Sequence, residues 1–69
     1  MQNIESLKAS LCRAGWCPSL LGTKDGWACS LSNTSYRTMA QGRGATALEA
    51  MRDADEDRKR IEKEPKYKM

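Results

Sequence analysis

The chain of 69 residues contains no histidine. Histidine is the commonest general acid and base near neutral pH, and the Cys/His and Ser/His/Asp catalytic arrangements both depend on it. The composition therefore excludes most familiar hydrolase mechanisms. Carboxylates do cluster between positions 53 and 57, but they lie among basic residues on a predicted exposed helix, which favours a solvated face over an acid/base pair. We predict that the protein is not an enzyme and has no catalytic residues.

Cysteine is present in an odd number, at Cys12, Cys17 and Cys29. A disulfide framework requires an even number, and a structural zinc site requires four cysteine or histidine ligands at paired short spacings. A zinc site completed by Asp25 or by a second chain is the alternative, but reduced cysteine commonly serves as a small core residue. We therefore predict reduced, mostly buried cysteines, with Cys17 and Cys29 packed in the core, and neither a metal nor a cofactor.

Long apolar runs are also missing, since no segment approaches the length needed to span a bilayer. The first eight residues carry Glu5 within an amphipathic pattern, in place of the basic and apolar stretches of a secretory signal. With 39% hydrophobic and 30% charged residues the chain is too apolar for a disordered tail, and its length allows one small core. These observations predict a soluble cytoplasmic protein without membrane contact.

The spacing of apolar residues predicts a helix at each end of the chain. In the first segment they recur every three or four positions, which predicts a helix over residues 3–14 with Asn3 as its N-cap. Thr46 followed three residues later by Glu49 is the capping-box signature that starts the second helix. Apolar residues become scarce from Asp55 onward, so we expect the second half of this helix to project past the core or to fray.

Between the helices, apolar and polar residues alternate, which is typical of strands. The Asp-Gly pair at 25–26 predicts a hairpin that joins strands over 17–21 and 27–32. A second turn leads to a third predicted strand over 36–40, and the Gln-Gly-Arg-Gly sequence at 41–44 is predicted to be the turn into the second helix.

The predicted fold class is therefore α+β, with the order helix, three-stranded antiparallel meander, helix, and with both helices packed on one sheet face. A single domain over residues 1–64 accounts for the pattern, and residues 65–69 are predicted to be a short C-terminal tail. Because this tail has only Tyr67 and Met69 as sizeable apolar groups, we expect its deletion to leave the fold intact.

Positive charge is unevenly distributed along the chain. Residues 1–45 hold five basic and two acidic side chains, whereas residues 46–69 hold seven of each. The basic excess thus falls on the predicted sheet and its loops, where nucleic acid is one candidate partner. A net charge of +3 is nevertheless modest beside the clustered Lys/Arg footprint of nucleic-acid-binding proteins.

The element order resembles that of the double-stranded RNA-binding domain. That family grips phosphate with a lysine cluster at the start of its second helix, whereas the corresponding residues 46–51 here include Glu49 and no lysine. Arg43 between Gly42 and Gly44 either contributes to an anion site at the helix N-terminus or belongs to a tight turn. A small nucleic-acid-binding domain that uses the basic sheet surface is thus the alternative function.

Residues 26–54 carry a second resemblance. A strand that starts Gly26-Trp27 is followed by another strand and by a helix that opens with Thr46 and has an alanine-rich face. This segment resembles the closing half of small phage and prophage proteins built as a single α/β/α sandwich. The resemblance implies an accessory protein of a mobile element in a bacterial host cytosol, which binds and inhibits a host protein or defence complex.

Such a role requires exposed aromatic, methionine and arginine side chains, because these carry most of the energy of protein interfaces. The predicted partner-binding residues are Trp16, Tyr36, Arg37, Met39 and Arg43. We expect Trp16 or Trp27 to belong to the core. Strand alternation directs Arg37, Met39 and Arg43 away from Tyr36, which makes them the better surface candidates. A homo-oligomer that pairs through its charged C-terminal helix is a third hypothesis.

Overall fold

The computed structural model of the protein describes residues 3–69. Its elements are α1 (Ile4–Arg13), β1 (Cys17–Thr23), β2 (Gly26–Ser32), β3 (Ala40–Gly44), α2 (Ala47–Lys63) and a short 3₁₀ helix (Pro65–Tyr67). The strands form an antiparallel sheet in the order β1-β2-β3, and both helices contact it on the same face. The predicted α+β fold is confirmed.

Both helices begin where side chains cap them. The Asn3 side chain accepts a hydrogen bond from the Ser6 N–H at 2.8 Å, and the Ser6 hydroxyl accepts one from the Asn3 N–H at 3.2 Å. At α2, the Thr46 hydroxyl accepts a hydrogen bond from the Glu49 N–H at 3.1 Å. The predicted helix starts are therefore confirmed, since each rests on a local pairing that the sequence encodes within four residues.

The second half of α2 is helical as far as Lys63, so the expectation that it frays or leaves the core is wrong. Ile61 is completely buried and anchors this half to the core. Arg58 also donates hydrogen bonds to Asp55 and Glu62, both at 2.8 Å, along the helix surface. One well-placed apolar residue and local ion pairs thus replace the missing apolar stripe.

The hairpin lies where the Asp-Gly pair predicts it. Gly26 has a φ of +139°, a value that favours glycine, and it closes the turn opposite Thr23. The strands on either side extend slightly beyond the predicted bounds.

The third strand lies later in the chain than predicted, at Ala40–Gly44 rather than at 36–40. The Gly-Arg-Gly sequence is part of the strand because the backbone of α2 packs directly against it. A Cβ atom on Gly42 would collide with the α2 backbone at Ala50 and Ala54, and one on Gly44 would collide at Glu49 and Ala50. Glycine is therefore required for the helix to approach the strand so closely.

The core lies between the sheet and the two helices. Its buried residues come from α1, the loop before β1, β2, β3 and α2, whereas β1 and the 3₁₀ helix contribute none: Leu7, Leu11, Trp16, Cys29, Leu31, Ala40, Ala50, Met51, Ala54 and Ile61. Of the cysteines, only Cys29 is buried, whereas Cys12 and Cys17 are exposed and all three are free thiols. The prediction that Cys17 packs in the core is wrong. Cys17 lies at the start of β1, where Pro18 is on the helix-facing side and Cys17 is therefore on the opposite side.

The C-terminal segment is attached to the domain by backbone pairing. Tyr36 and Lys68 form an antiparallel bridge. The Arg37 N–H donates to the Tyr67 carbonyl at 2.7 Å, and the Met69 N–H donates to the Ser35 carbonyl at 3.0 Å. Residues 65–69, which the sequence presents as a tail, therefore run alongside the loop between β2 and β3. Within residues 3–69, no helix has the length and apolar character needed to cross a membrane.

Candidate functional site

The helices cover one face of the sheet, and the opposite face carries the alternate residues of each strand. We call this surface the open face; its residues are Cys17, Ser19, Leu21, Thr23, Ala28, Ser30, Ser32, Gln41 and Arg43. None of these side chains is aromatic and none is a carboxylate. The centre of the open face therefore consists mostly of small, uncharged side chains.

The strand register arranges these side chains in rows. Ser19, Ser30 and Gln41 form a row across the middle of the sheet. Next to it, towards the β1–β2 turn, Ala28 lies between Leu21 and Arg43. A shallow cavity of about 520 Å³ is lined by these three residues among others, and Leu21 is 67% exposed. A small residue between two long ones thus makes a depression with an apolar and a cationic side, which Asp25 and Trp27 also line.

The other end of the open face borders a second groove, of about 370 Å³. Tyr36, Arg37 and Met39 line it together with the open-face residues Cys17 and Ser32. Three of the five predicted partner-binding residues therefore lie together. Arg37 and Met39 are exposed, as strand alternation predicts, although they lie in the loop before β3 rather than in a strand.

Arg43 is exposed too, but it lies at the turn end of the open face, away from this groove. The open face thus has one exposed arginine and one exposed apolar side chain at each end. Among the described residues, neither Arg37 nor Arg43 forms an ion pair. Both guanidinium groups are available to a partner.

Trp16 is completely buried, so the structure corrects its predicted role as an exposed anchor. Its ring stacks on that of Tyr36, with 5.1 Å between centroids and 24° between planes. The indole N–H donates a hydrogen bond to Glu62 Oε2 at 3.0 Å. Trp16 therefore holds Tyr36 in place from the core side, while Tyr36 itself stays half-buried at the groove.

Trp27 is 40% exposed, and its ring lies over Gly22 on the helix-facing side of the sheet. It is therefore on the opposite side from the open face. The expectation that one of the two tryptophans belongs to the core is met by Trp16.

Three carboxylates of α2 occupy the outer edge of β3. Glu49, Asp53 and Asp57 accept hydrogen bonds from the N–H groups of Ala45, Arg43 and Gln41, at 3.2, 3.0 and 3.0 Å respectively. Acidic side chains spaced by four on a helix form one row, and alternate N–H groups on a strand point to one side. We call these three residues the acidic row. From the sequence alone, Asp53 and Asp57 are predicted to lie on a solvated face and Glu49 to belong to a capping box, so the common spacing of the three becomes informative only once β3 is placed at Ala40–Gly44.

Burial raises the pKa of the Cys29 thiol, an effect that a hydrogen bond from the Ser19 backbone only partly offsets, so this thiol is a poor nucleophile. Across residues 3–69, cysteine, aspartate and glutamate side chains form no group of three or more that could hold a metal ion.

Comparisons of the chain with protein-family models, with curated proteins and with solved structures give no match. The chemistry of the surface is therefore the basis on which a function can be assigned. That chemistry is most distinctive on the open face, where small side chains lie between two exposed arginines and two exposed apolar residues.

Proposed function

We propose that the protein is a non-catalytic binding module whose open face engages an acidic, partly apolar surface of another protein. The observation that carries this proposal is the composition of that face. It has no carboxylate, its central side chains are short, and Arg37 with Met39 and Arg43 with Leu21 are exposed at its two ends.

Each part of the face fits a role in binding. Serine and alanine at the centre allow a partner to approach the sheet closely. The arginines can form bidentate hydrogen bonds with carboxylates, which gives both strength and orientation. Leu21 and Met39 supply apolar area; burying a leucine that is 67% exposed contributes about 1–2 kcal/mol.

Nucleic acid fits this surface less well. Sheets that bind single strands do so with aromatic side chains on which bases stack, and the open face has none. The Tyr36 ring is stacked on Trp16, and Trp27, although it lines the cavity beside Leu21 and Arg43, is directed to the helix side of the sheet. One arginine at each end of the face also makes a sparse track for phosphates. These features favour the protein partner over the nucleic-acid alternative.

The setting of the proposed function comes from the resemblance of residues 26–54 to small phage and prophage proteins. On that basis the proposed partner is a bacterial host protein or defence complex, and binding would take place in the bacterial cytosol. A rigid domain of this size can inhibit such a partner simply by occupying its working surface.

The experiment is an affinity capture from nuclease-treated bacterial lysate. We expect the wild type to retain a specific protein, and we expect R37A/R43A and Leu21→Ser to lose it. Arg13→Ala is the matched control, because Arg13 is exposed on α1, on the helix side of the sheet. If the open-face variants retain the same protein as the wild type, the proposal is contradicted. Salt-sensitive, submicromolar binding of the purified protein to nucleic acid at physiological ionic strength would also contradict it.

A further inference from the structure

The two outer edges of the sheet differ in what covers them. Along β3, the acidic row accepts the outward N–H groups of Gln41, Arg43 and Ala45. A further strand therefore cannot pair there without displacing three charged hydrogen bonds. Such covering is a common means of preventing edge-to-edge association.

The same bonds determine which groups of β1 point outward. Because the Arg43 N–H points to Asp53, away from β2, its neighbour Ala28 must direct its own N–H and carbonyl to Leu21 in β1. The residues of β1 that alternate with Leu21 then direct their backbone groups away from the sheet; these are Pro18, Leu20 and Gly22. Since proline has no N–H, this edge presents three carbonyls and two N–H groups.

Apolar side chains flank this edge on both faces of the sheet. On the helix side, a cavity of about 320 Å³ lies between α1 and β1 and is lined by Ile4, Glu5, Lys8, Pro18, Leu20 and Met51. On the open face, Leu21 is 67% exposed directly beside the edge. The β1 edge therefore combines outward-directed backbone groups with apolar surface that a further strand would cover.

We propose that β1 pairs antiparallel with β1 of a second copy of this chain, about a two-fold axis at Leu20, to form a six-stranded sheet. In this register Leu20 lies opposite its own copy and exchanges two backbone hydrogen bonds with it. Gly22 lies opposite Pro18, so its N–H donates to the Pro18 carbonyl. Because Pro18 has no N–H to donate, the Gly22 carbonyl of each strand is the one outward group of this register that bonds to water.

The side chains near the edge are self-complementary in the same arrangement. The groove on the helix side carries one acidic and one basic residue, Glu5 and Lys8. A two-fold axis reverses the order of the groove in the second copy, so the acidic residue of each copy faces the basic residue of the other. An extended segment of one charge sign would match only one of the two. On the open face, Leu21 lies opposite Ser19 of the second copy and becomes partly covered.

The first test removes the outward N–H of one edge residue. Gly22→Pro deletes that N–H, and Gly22→Ala is the matched control, because a Cβ there makes only ordinary contact, 3.8 Å, with the Trp27 ring. In sedimentation velocity over a range of concentrations, we expect the wild type and Gly22→Ala to dimerise and Gly22→Pro to stay monomeric. Circular dichroism confirms that each variant is folded. A wild type that stays monomeric at every concentration, or a folded Gly22→Pro that dimerises like the wild type, overturns the proposal.

The second test separates a second copy from a strand of another protein. Glu5→Lys and Lys8→Glu should each weaken the dimer by about tenfold, because each places like charges opposite one another across the axis. The double variant E5K/K8E restores the pairing with the signs exchanged, so its dimerisation should return towards that of the wild type. If both single variants weaken the dimer and E5K/K8E does not restore it, the assignment of a second copy in this register is overturned. Neither test uses Arg37 or Arg43, so its outcome is independent of the proposed binding function.

Discussion

The two outer strands of the sheet, β3 and β1, differ in how their edges are covered. On the β3 side, two glycines let the backbone of α2 lie directly on the strand, and the acidic row covers its outer edge. On the β1 side, Pro18 and Leu20 are only half-buried, Leu21 is exposed, and the outer backbone groups have no such cover from α2. One helix can therefore cover the edge of a sheet when acidic residues spaced by four along it match alternate positions of the strand.

The largest expected effect is the difference between glycines on the two sides. Gly42→Ala should reduce the free energy of unfolding by about 3 kcal/mol, because its Cβ would collide with the α2 backbone at Ala50 and Ala54. Gly22→Ala is the control and should change it by less than about 1 kcal/mol. Urea denaturation measures both. Equal losses in the two variants would show that α2 does not approach β3 as closely as described.

The next effect concerns the cover over the β3 edge. D53A/D57A removes the two carboxylates of the acidic row that accept hydrogen bonds from β3 N–H groups, and it should lower the free energy of unfolding by about 1–2 kcal/mol, discounted for solvent screening. Glu56→Ala is the control, since Glu56 is an exposed acid of the same helix and, within residues 3–69, its one ion pair is with Lys59. Chemical denaturation of the wild type and the two variants measures the free energy of unfolding. If the control loses as much stability as the double variant, the cause is the removal of negative charge from α2 and not the loss of hydrogen bonds at the β3 edge.

Deleting residues 65–69 should have a smaller effect, about 1 kcal/mol, and should leave a cooperatively melting fold. The deletion removes the backbone hydrogen bonds that link Tyr67 and Met69 to Arg37 and Ser35. Met69→Ser is the matched control, because the Met69 side chain is 67% exposed and its N–H is retained. Differential scanning calorimetry gives the melting temperatures. A non-cooperative transition in the shortened chain would mean that this segment belongs to the core.

Cysteine alkylation is the simplest probe of the two faces of the sheet, and it is expected to affect stability least. Cys17 lies on the open face and Cys12 on the surface of α1, whereas Cys29 is buried with a raised pKa. Iodoacetamide should therefore modify Cys12 and Cys17 in the native protein and reach Cys29 only on unfolding. Peptide mass spectrometry after timed labelling measures the three rates. Labelling of Cys29 as fast as Cys17 would place it outside the core.

Most of the architecture follows from local signals in the sequence. Asn3 and Thr46 cap helices through bonds within four residues, and Asp25-Gly26 specifies the hairpin, so each is readable without tertiary information. The position of β3 is different. Glycine has low strand propensity, and the alternation from Tyr36 to Ala40 suggests an earlier strand. Only the close approach of α2 makes Gly42 and Gly44 strand residues.

The candidate site was likewise predictable only in part. Strand alternation predicts that Arg37, Met39 and Arg43 are exposed; all three are, although Arg37 and Met39 lie in the loop before β3 and not in a strand. It does not indicate which tryptophan is buried, since that depends on the stacking of Trp16 with Tyr36 and on Glu62, which lies 46 residues away in the chain. The acidic row depends on the register between α2 and β3, which no local pattern encodes.

The most direct measurement of the contrast between the two edges is native-state amide hydrogen exchange, followed by NMR as a function of protein concentration. In dilute solution we expect the outward amides of Leu20 and Gly22 to exchange rapidly. Those of Gln41, Arg43 and Ala45, which donate to the acidic row, should exchange slowly. At high concentration, pairing of β1 with a second copy should protect Leu20 and Gly22 selectively. Equal protection of both edges in dilute solution, or a β1 edge that stays unprotected at every concentration, would contradict the account.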